Sequence, residues 1–133
     1  MTLTLAGVRD WLKGLNCAEH YYIGSLDRKQ LKSLGVYSRA RTGAPAETAL
    51  GGPVDTRTGR KQISLLLHWT NNARETEQAA LALYDALGAA FPCRIGNAAA
   101  DYARLLVSEP VDVGADDGGI YERVIWLDIY YQK

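Results

Sequence analysis

Hydrophobic residues recur along this chain at two spacings, one typical of helices and one typical of strands. In residues 5–15 the apolar positions fall three or four residues apart, which predicts a short amphipathic helix. A longer stripe of the same kind over 73–90 predicts the main helix, with Asn72 as its N-cap and Glu75 completing a variant capping box. The apolar positions of this stripe are Ala79, Ala80, Leu83, Tyr84 and Leu87.

Alternation of apolar and polar residues predicts strands elsewhere. The clearest case is 62–70, where Ile63, Leu65, Leu67 and Trp69 share one face. The last segment, 121–131, alternates in the same way and predicts a long strand with two unequal faces. Shorter apolar runs predict strands over 21–26 and 34–37, which we expect to form an antiparallel pair, and over 102–107.

Glycine, proline and polar residues fill the segments between these elements. Residues 39–60 predict a long loop, with an extended hairpin as the alternative, and we expect this segment to be mobile in a free subunit and ordered after assembly. Residues 111–119 have turn chemistry, typical of a strand end or a hairpin tip. The resulting order, α-β-β-loop-β-α-β-β, predicts a single domain over 1–133. Its fold class is α+β, a mostly antiparallel sheet with helices packed on one face.

Charge is balanced over the whole chain but not locally. Fifteen basic and fifteen acidic residues give a formal net charge of zero, which disfavours specific nucleic-acid binding and makes self-association easier. Residues 39–61 have five basic and two acidic residues, or plus three, whereas 109–133 have six acidic and two basic residues, or minus four. We hypothesise that these regions of neighbouring copies form an assembly interface, with Arg39, Arg41, Arg57 and Arg60 facing Asp112, Asp116, Asp117 and Glu122.

The sequence offers little support for catalysis or for a bound cofactor. His68 is a candidate base, with Asp128 or Glu77 as its acidic partner, but a packing or hydrogen-bonding role is the more common one for such a histidine. The acidic residues of 112–122 do not have the spacing of a calcium loop, and Cys17 and Cys93 have no metal-ligand or redox spacing. We therefore expect two reduced, buried thiols, no metal, no cofactor and no membrane span.

Several strings in a shared order resemble the minor capsid protein family of tailed bacteriophages and prophages, a branch of the tail-terminator and tail-completion proteins. They include Gly35-Val36-Tyr37 before the Pro/Gly-rich loop, and Ile63 to Thr70 followed by Asn71-Asn72. Further matches in type and order are Thr76 to Ala80, Tyr84 to Leu87, Glu109 to Gly114, Asp117 to Glu122 and Ile129 to Tyr131. The resemblance covers about residues 20–131.

This resemblance implies a structural virion protein and not an enzyme. Such a subunit assembles with itself, often as a hexameric ring, at the head-proximal end of the tail, where it stops polymerisation of the tail tube protein and joins a head-tail connector protein. DNA would pass through the ring. From the sign of their charge, we hypothesise that its lumen is lined by Asp112, Asp116, Asp117 and Glu122, which keep DNA from adhering. The expected location is the host bacterial cytoplasm during assembly and then the virion tail. A head-tail connector or stopper protein is one alternative, and a small hydrolase or ligand-binding enzyme that uses His68 is another.

Overall fold

A computed structural model describes residues 2–39 and 57–133. Within these ranges the chain forms two helices and a seven-stranded sheet. The helices are α1 (Leu5–Gly14) and α2 (Ala73–Ala89). The strands are β1 (His20–Ile23), β2 (Ser33–Ser38), β3 (Thr58–His68), β4 (Cys93–Ile95), β5 (Ala98–Leu105), β6 (Val111–Ala115) and β7 (Tyr121–Gln132). The predicted α+β class, with a mostly antiparallel sheet, is confirmed.

The sheet is organised around its two longest strands, β3 and β7. They pair along their whole lengths, from Thr58 opposite Gln132 to His68 opposite Glu122. The strand order is β1-β2-β3-β7-β5-β4. The other edge of β7 is shared, because β5 pairs with its second half and β6 with its first half.

One face of the sheet, which we call the helix face, is apolar. It presents alternate residues of β2, β3 and β7, namely Leu34, Val36, Ile63, Leu65, Leu67, Ile125, Leu127, Ile129 and Tyr131, and all of them are buried. They form one core cluster with Val8 and Leu12 of α1 and with Ala80, Leu83 and Leu87 of α2. Both helices therefore pack on this face, because the stripe on each can be buried only against an apolar surface.

The caps of the helices follow local chemistry. The Thr4 hydroxyl accepts a hydrogen bond from the Gly7 amide at the start of α1. The Asn72 side chain accepts from the amides of Arg74 and Glu75, which confirms the predicted N-cap of α2. The carboxylate of Glu75 accepts from the hydroxyl of Thr70 and not from the Asn72 amide, which itself donates to Thr70 Oγ1, so the capping box is not reciprocal.

The expected antiparallel pairing of the first two strands is wrong. β1 and β2 are parallel, with His20 opposite Ser33 and Ile23 opposite Val36. The reason lies in residues 24–32. They do not form a tight hairpin but a crossover that leads back to the end of the sheet where β1 begins, so β2 runs in the same direction as β1. The Arg28 carbonyl of this crossover segment meets the side chain of His68, and Gly35 leaves room for Leu26, since a Cβ on Gly35 would lie 3.0 Å from its Cδ2.

Several strands begin or end at residues other than those predicted. β3 begins at Thr58, so the end of the predicted 39–60 loop belongs to a strand, whereas Trp69 lies just beyond it. The strand predicted over 102–107 is β5, which begins at Ala98 because β4 and β5 form a hairpin around Gly96, a residue with φ of +60°. β6 occupies the first half of the predicted 111–119 turn, and only its second half is the hairpin tip.

Two further expectations concern the loop and the membrane. The expected mobile loop, with Arg41, lies outside the described residues over 40–56. Among the helices that are described, none has the length and apolar character needed to cross a bilayer.

Candidate functional site

The face opposite the helix face, which we call the polar face, contains a buried histidine. His68 is the last residue of β3 and has no exposed surface. Its Nε2 atom lies 3.1 Å from the carbonyl oxygen of Arg28 in the crossover segment. A carbonyl oxygen only accepts hydrogen bonds, so Nε2 is the donor and carries a proton. The other ring nitrogen, Nδ1, points to the neighbouring strand.

Nδ1 of His68 faces Glu122, its register partner on β7. The distance from Nδ1 to Glu122 Oε2 is 2.9 Å. The same Oε2 accepts a hydrogen bond of 2.6 Å from Nη1 of Arg28. The backbone of Arg28 therefore holds the histidine while its side chain holds the glutamate, and the ion pair with Glu122 is the main reason that the pKa of Arg28 is raised further.

Asp116 completes this cluster from the turn between β6 and β7. Its Oδ1 atom accepts hydrogen bonds from the amides of Gly118 and Ile120, at 2.9 and 3.0 Å, so the turn fixes the carboxylate. Its Oδ2 atom lies 3.6 Å from His68 Nδ1 and 3.6 Å from Arg28 Nη1. The pKa of Asp116 is lowered, chiefly by its hydrogen bond from the Ile120 amide. Asp116 is thus held in its ionised form.

We call His68, Glu122, Asp116 and Arg28 the His68 cluster, and the last three of them line a surface pocket of about 500 Å³. The pocket is also lined by Lys29, Asp117 and Ile120. The side chains of Glu122 and Asp116 are 11% and 14% exposed, but that of Arg28 is 54% exposed. The two carboxylates and the histidine are therefore largely buried, whereas the half-exposed side chain of Arg28 lies on their solvent side.

The other end of the polar face is aromatic. Trp126 and Tyr130 lie four residues apart on β7, and Tyr102 of β5 is the register partner of Tyr130. The rings of Tyr102 and Tyr130 stack with centroids 4.6 Å apart. Tyr102 is 54% exposed and Trp126 is 39% exposed. We call these three residues the aromatic patch.

A second ion pair lies within the aromatic part of the polar face, because Asp128 is between Trp126 and Tyr130 on β7. Asp128 of β7 is buried, and its carboxylate binds the guanidinium of Arg39, just beyond β2. Arg39 Nε is buried without a hydrogen-bond partner among the described residues. The ion pair links the end of β2 to β7 across β3.

The structure places the predicted interface residues in different environments. Arg39, Asp116 and Glu122 all form intramolecular ion pairs. Asp112 is exposed, lies 3.6 Å from Arg123 and accepts from the Gly114 amide. Arg57 and Asp117 are exposed, and Arg60 is half-buried within β3.

The structure also bears on the alternative in which His68 acts as a base. The acidic neighbour of His68 is Glu122, not Asp128 or Glu77, which bind Arg39 and Arg123. His68 lies on the predicted side of β3, opposite the core, yet it is buried and both ring nitrogens are engaged. The hydrogen-bonding role is thus confirmed, and this geometry gives a substrate no free nitrogen.

The pattern of residues along the chain does not reveal the His68 cluster. Its members come from the crossover segment, β3, the β6–β7 turn and β7. The only local signal is the turn chemistry of 116–119, and nothing in the sequence gives the register that sets His68 opposite Glu122. Cys17 and Cys93 are free thiols, as expected, but they are half-buried and not fully buried.

Comparison with known proteins adds no family to this description. No protein-family model matches the chain, and no curated protein matches it. The features of the chain that bear on its function are therefore the His68 cluster and the aromatic patch.

Proposed function

We propose that this protein is a structural subunit of a phage or prophage tail, of the tail-terminator type, which acts by assembling into a ring. The observation that carries this proposal is the aromatic patch. It is an exposed group of large side chains on a sheet face that the helices leave uncovered, and aromatic residues are enriched where protein surfaces associate. The resemblance described from the sequence supplies the tail as the place of assembly.

Charge supports association between identical copies. With a formal net charge of zero, the copies do not repel one another as a strongly charged subunit would. A patch that meets a different surface of the next copy forms a heterologous contact, and such contacts close into rings when the rotation between copies is right. A hexamer that ends a tail tube and binds a head-tail connector is an assembly of this kind.

The assembly interface hypothesised from charge now rests on fewer residues. Arg39, Asp116 and Glu122 are already paired with other residues of the subunit, which leaves Arg57, Asp112 and Asp117 as exposed members in the described ranges. If acidic residues line the lumen of a ring and face passing DNA, Asp112 and Asp117 are the two with exposed carboxylates. We place the aromatic patch at the centre of the contact and these charges at its rim.

Oligomeric state tests the proposal. The untagged chain should form a discrete ring in size-exclusion chromatography with light scattering and in negative-stain images, over a wide range of concentrations. Tyr102→Lys should shift it to monomers with an unchanged circular dichroism spectrum, because the new charge lies within the patch. Leu81→Lys is the matched control, since Leu81 is a 40% exposed apolar residue of α2, and it should leave the ring intact.

Two results would contradict the proposal. The first is a chain that stays monomeric at every concentration and also in the presence of tail tubes. The second is a ring that persists unchanged in Tyr102→Lys. The connector alternative is separated by imaging the chain with purified tail tubes: a terminator binds at the end of the tube, whereas a connector or stopper binds only to the head portal.

A further inference from the structure

The His68 cluster lies outside the aromatic patch, and three of its side chains could hold a metal ion. His68 Nδ1, Glu122 Oε2 and an Asp116 carboxylate oxygen lie within 4.8 Å of one another. A single imidazole with two carboxylates is a ligand set that zinc and related divalent ions accept. Acidic residues alone would not distinguish a metal site from a solvated turn. The observation that favours a metal site is the buried histidine, whose Nδ1 is oriented toward both carboxylates.

The orientation of the His68 ring is set by the Arg28 carbonyl. Because Nε2 donates to that oxygen, Nδ1 is the nitrogen that faces the two carboxylates, and Nδ1–H donates to Glu122 Oε2 at 2.9 Å. Metal-binding histidines commonly donate their other ring N–H to a backbone carbonyl, which orients the ring and makes it more basic. A metal ion bound here would take the place of the proton between Nδ1 and Glu122, since the ion needs the Nδ1 lone pair.

The distances fit such a cation. Ligand atoms about 2.0–2.1 Å from a tetrahedral zinc ion are separated from each other by about 3.3 Å. His68 Nδ1 is 2.9 Å from Glu122 Oε2 and 3.6 Å from Asp116 Oδ2, which bracket that separation. Asp116 is held by two backbone amides, and His68 has no exposed surface, so two of the three ligands are fixed before any ion binds.

The guanidinium of Arg28 is the positive charge that lies against these two carboxylates in the structure. Its Nη1 atom lies 2.6 Å from Glu122 Oε2 and 3.6 Å from Asp116 Oδ2. Its side chain is 54% exposed and borders the pocket, so it can turn outward without disturbing the core. Exchange of one guanidinium for one divalent ion leaves the two carboxylates neutralised.

We propose that His68, Asp116 and Glu122 bind a divalent transition-metal ion of the zinc class, in exchange for the Arg28 side chain. The ion cross-links β3, β7 and the turn between β6 and β7. Three protein ligands leave a fourth position for a water molecule from the pocket. This inference does not depend on ring assembly, and either proposal can fail without the other.

Titration of the untagged, metal-free chain with zinc chloride tests the site by calorimetry, and cobalt chloride provides a visible absorption spectrum. The wild-type chain should bind one zinc ion. Asp116→Asn should weaken binding about 100-fold or more, because loss of even an outer-sphere partner typically weakens metal binding about 10–100-fold. This variant keeps a side-chain oxygen for the amides of Gly118 and Ile120, so the turn stays folded. His68→Gln should abolish the cobalt spectrum.

Arg28→Gln gives the sharpest readout. Since it removes the competing cation, zinc should bind more tightly than to the wild type, and the melting temperature should rise further on addition of zinc. If the cluster is only a network of ion pairs and hydrogen bonds, Arg28→Gln will bind no zinc. His20→Gln and Cys17→Ser/Cys93→Ser are controls for other donors, and both should bind zinc like the wild type.

Two outcomes overturn the proposal. One is the lack of one-to-one zinc binding in both the wild type and Arg28→Gln. The other is binding that survives in Asp116→Asn and in His68→Gln, or that is lost in the His20 or cysteine controls, because the ion would then be held elsewhere. Circular dichroism of each variant establishes that the comparison is made between folded proteins.

Discussion

The two faces of the sheet are built from the same strands and differ in almost every physical property. On the helix face, the buried side chains of β3 and β7 are apolar and pack beneath α1 and α2, while Arg123, opposite Leu67, pairs with Glu77 of α2. On the polar face, alternate residues of the same strands supply the buried acids of two ion-pair networks and most of the aromatic patch. The helix face therefore accounts for most of the folding free energy, and the polar face contains the groups with specific chemistry.

Two adjacent leucines, one on each face, provide the most direct test of this difference between the faces. Leu67 lies on the helix face and is buried, whereas Leu66 lies on the polar face and is half-buried. Leu67→Ala should lower the free energy of unfolding by about 2–5 kcal/mol, because it leaves a cavity in a packed core. Leu66→Ala should lower it by less than half as much, measured by urea denaturation. Equal losses would show that both faces contribute equally to the core.

Removal of a charge from the His68 cluster should have a smaller effect. Glu122→Gln weakens hydrogen bonds to a buried histidine and to an arginine, and we expect a loss of about 1–3 kcal/mol. Most of this loss comes from the contact with His68, since Arg28 is half-exposed. Glu77→Gln is the control, because the exposed pair of Glu77 with Arg123 should be worth less than about 1 kcal/mol in the same denaturation measurement.

The tyrosine stack should contribute still less to the stability of one subunit. Tyr102→Thr keeps a residue that favours strands but removes the ring that stacks on Tyr130, so we expect a loss of about 0.5–1.5 kcal/mol. The expected effect on assembly is much larger. A loss above that range in the monomer would mean that the patch is part of the folding core and not a contact surface.

Alkaline titration gives the most subtle distinction between the faces. Burial raises the pKa of Tyr37, the Glu122 carboxylate raises it further, and Arg28 partly opposes both. The folded chain then binds this proton more tightly than the unfolded chain does. The contribution of Tyr37 is therefore unchanged below the unfolded pKa of about 10 and is lost as the pH rises through the folded pKa.

Absorbance of tyrosinate against pH checks this expectation. Tyr37→Phe should remove one late step from the titration curve. Arg28→Gln should move that step to higher pH, because it removes the opposing positive charge. A shift to lower pH would show that Arg28 acts on Tyr37 through a change of structure and not through its charge.

Local pattern was a good guide to the helix face and a poor guide to the polar face. The alternation in β3 correctly placed Ile63 and Leu65 on its core face, since period-2 patterning and burial are physically linked. The two unequal faces predicted for the last strand are those of β7, on which Ile125 and Leu127 are buried. The two helices were found for the same reason. The sequence could not show that β1 and β2 are parallel, because that depends on the path of the crossover segment.

The polar face depends on contacts between distant parts of the chain. His68 and Glu122 are 54 positions apart, and Arg39 and Asp128 are 89 apart. Their encounter follows from the register of β3 on β7, which is set by the whole sheet. Local sequence therefore predicted a solvated turn at Asp116 and could not indicate that a buried imidazole would face it.

The short outer strands restrict how copies of this protein can meet. Within the described sheet the edge strands are β1, of four residues, β4, of three, and β6, of five, while the long strands β3 and β7 are paired on both sides. Few backbone groups are left to recruit a strand from another molecule, and this is a common protection against runaway fibre growth. A contact between two copies would therefore be made by side chains and not by a sheet that continues from one copy into the next.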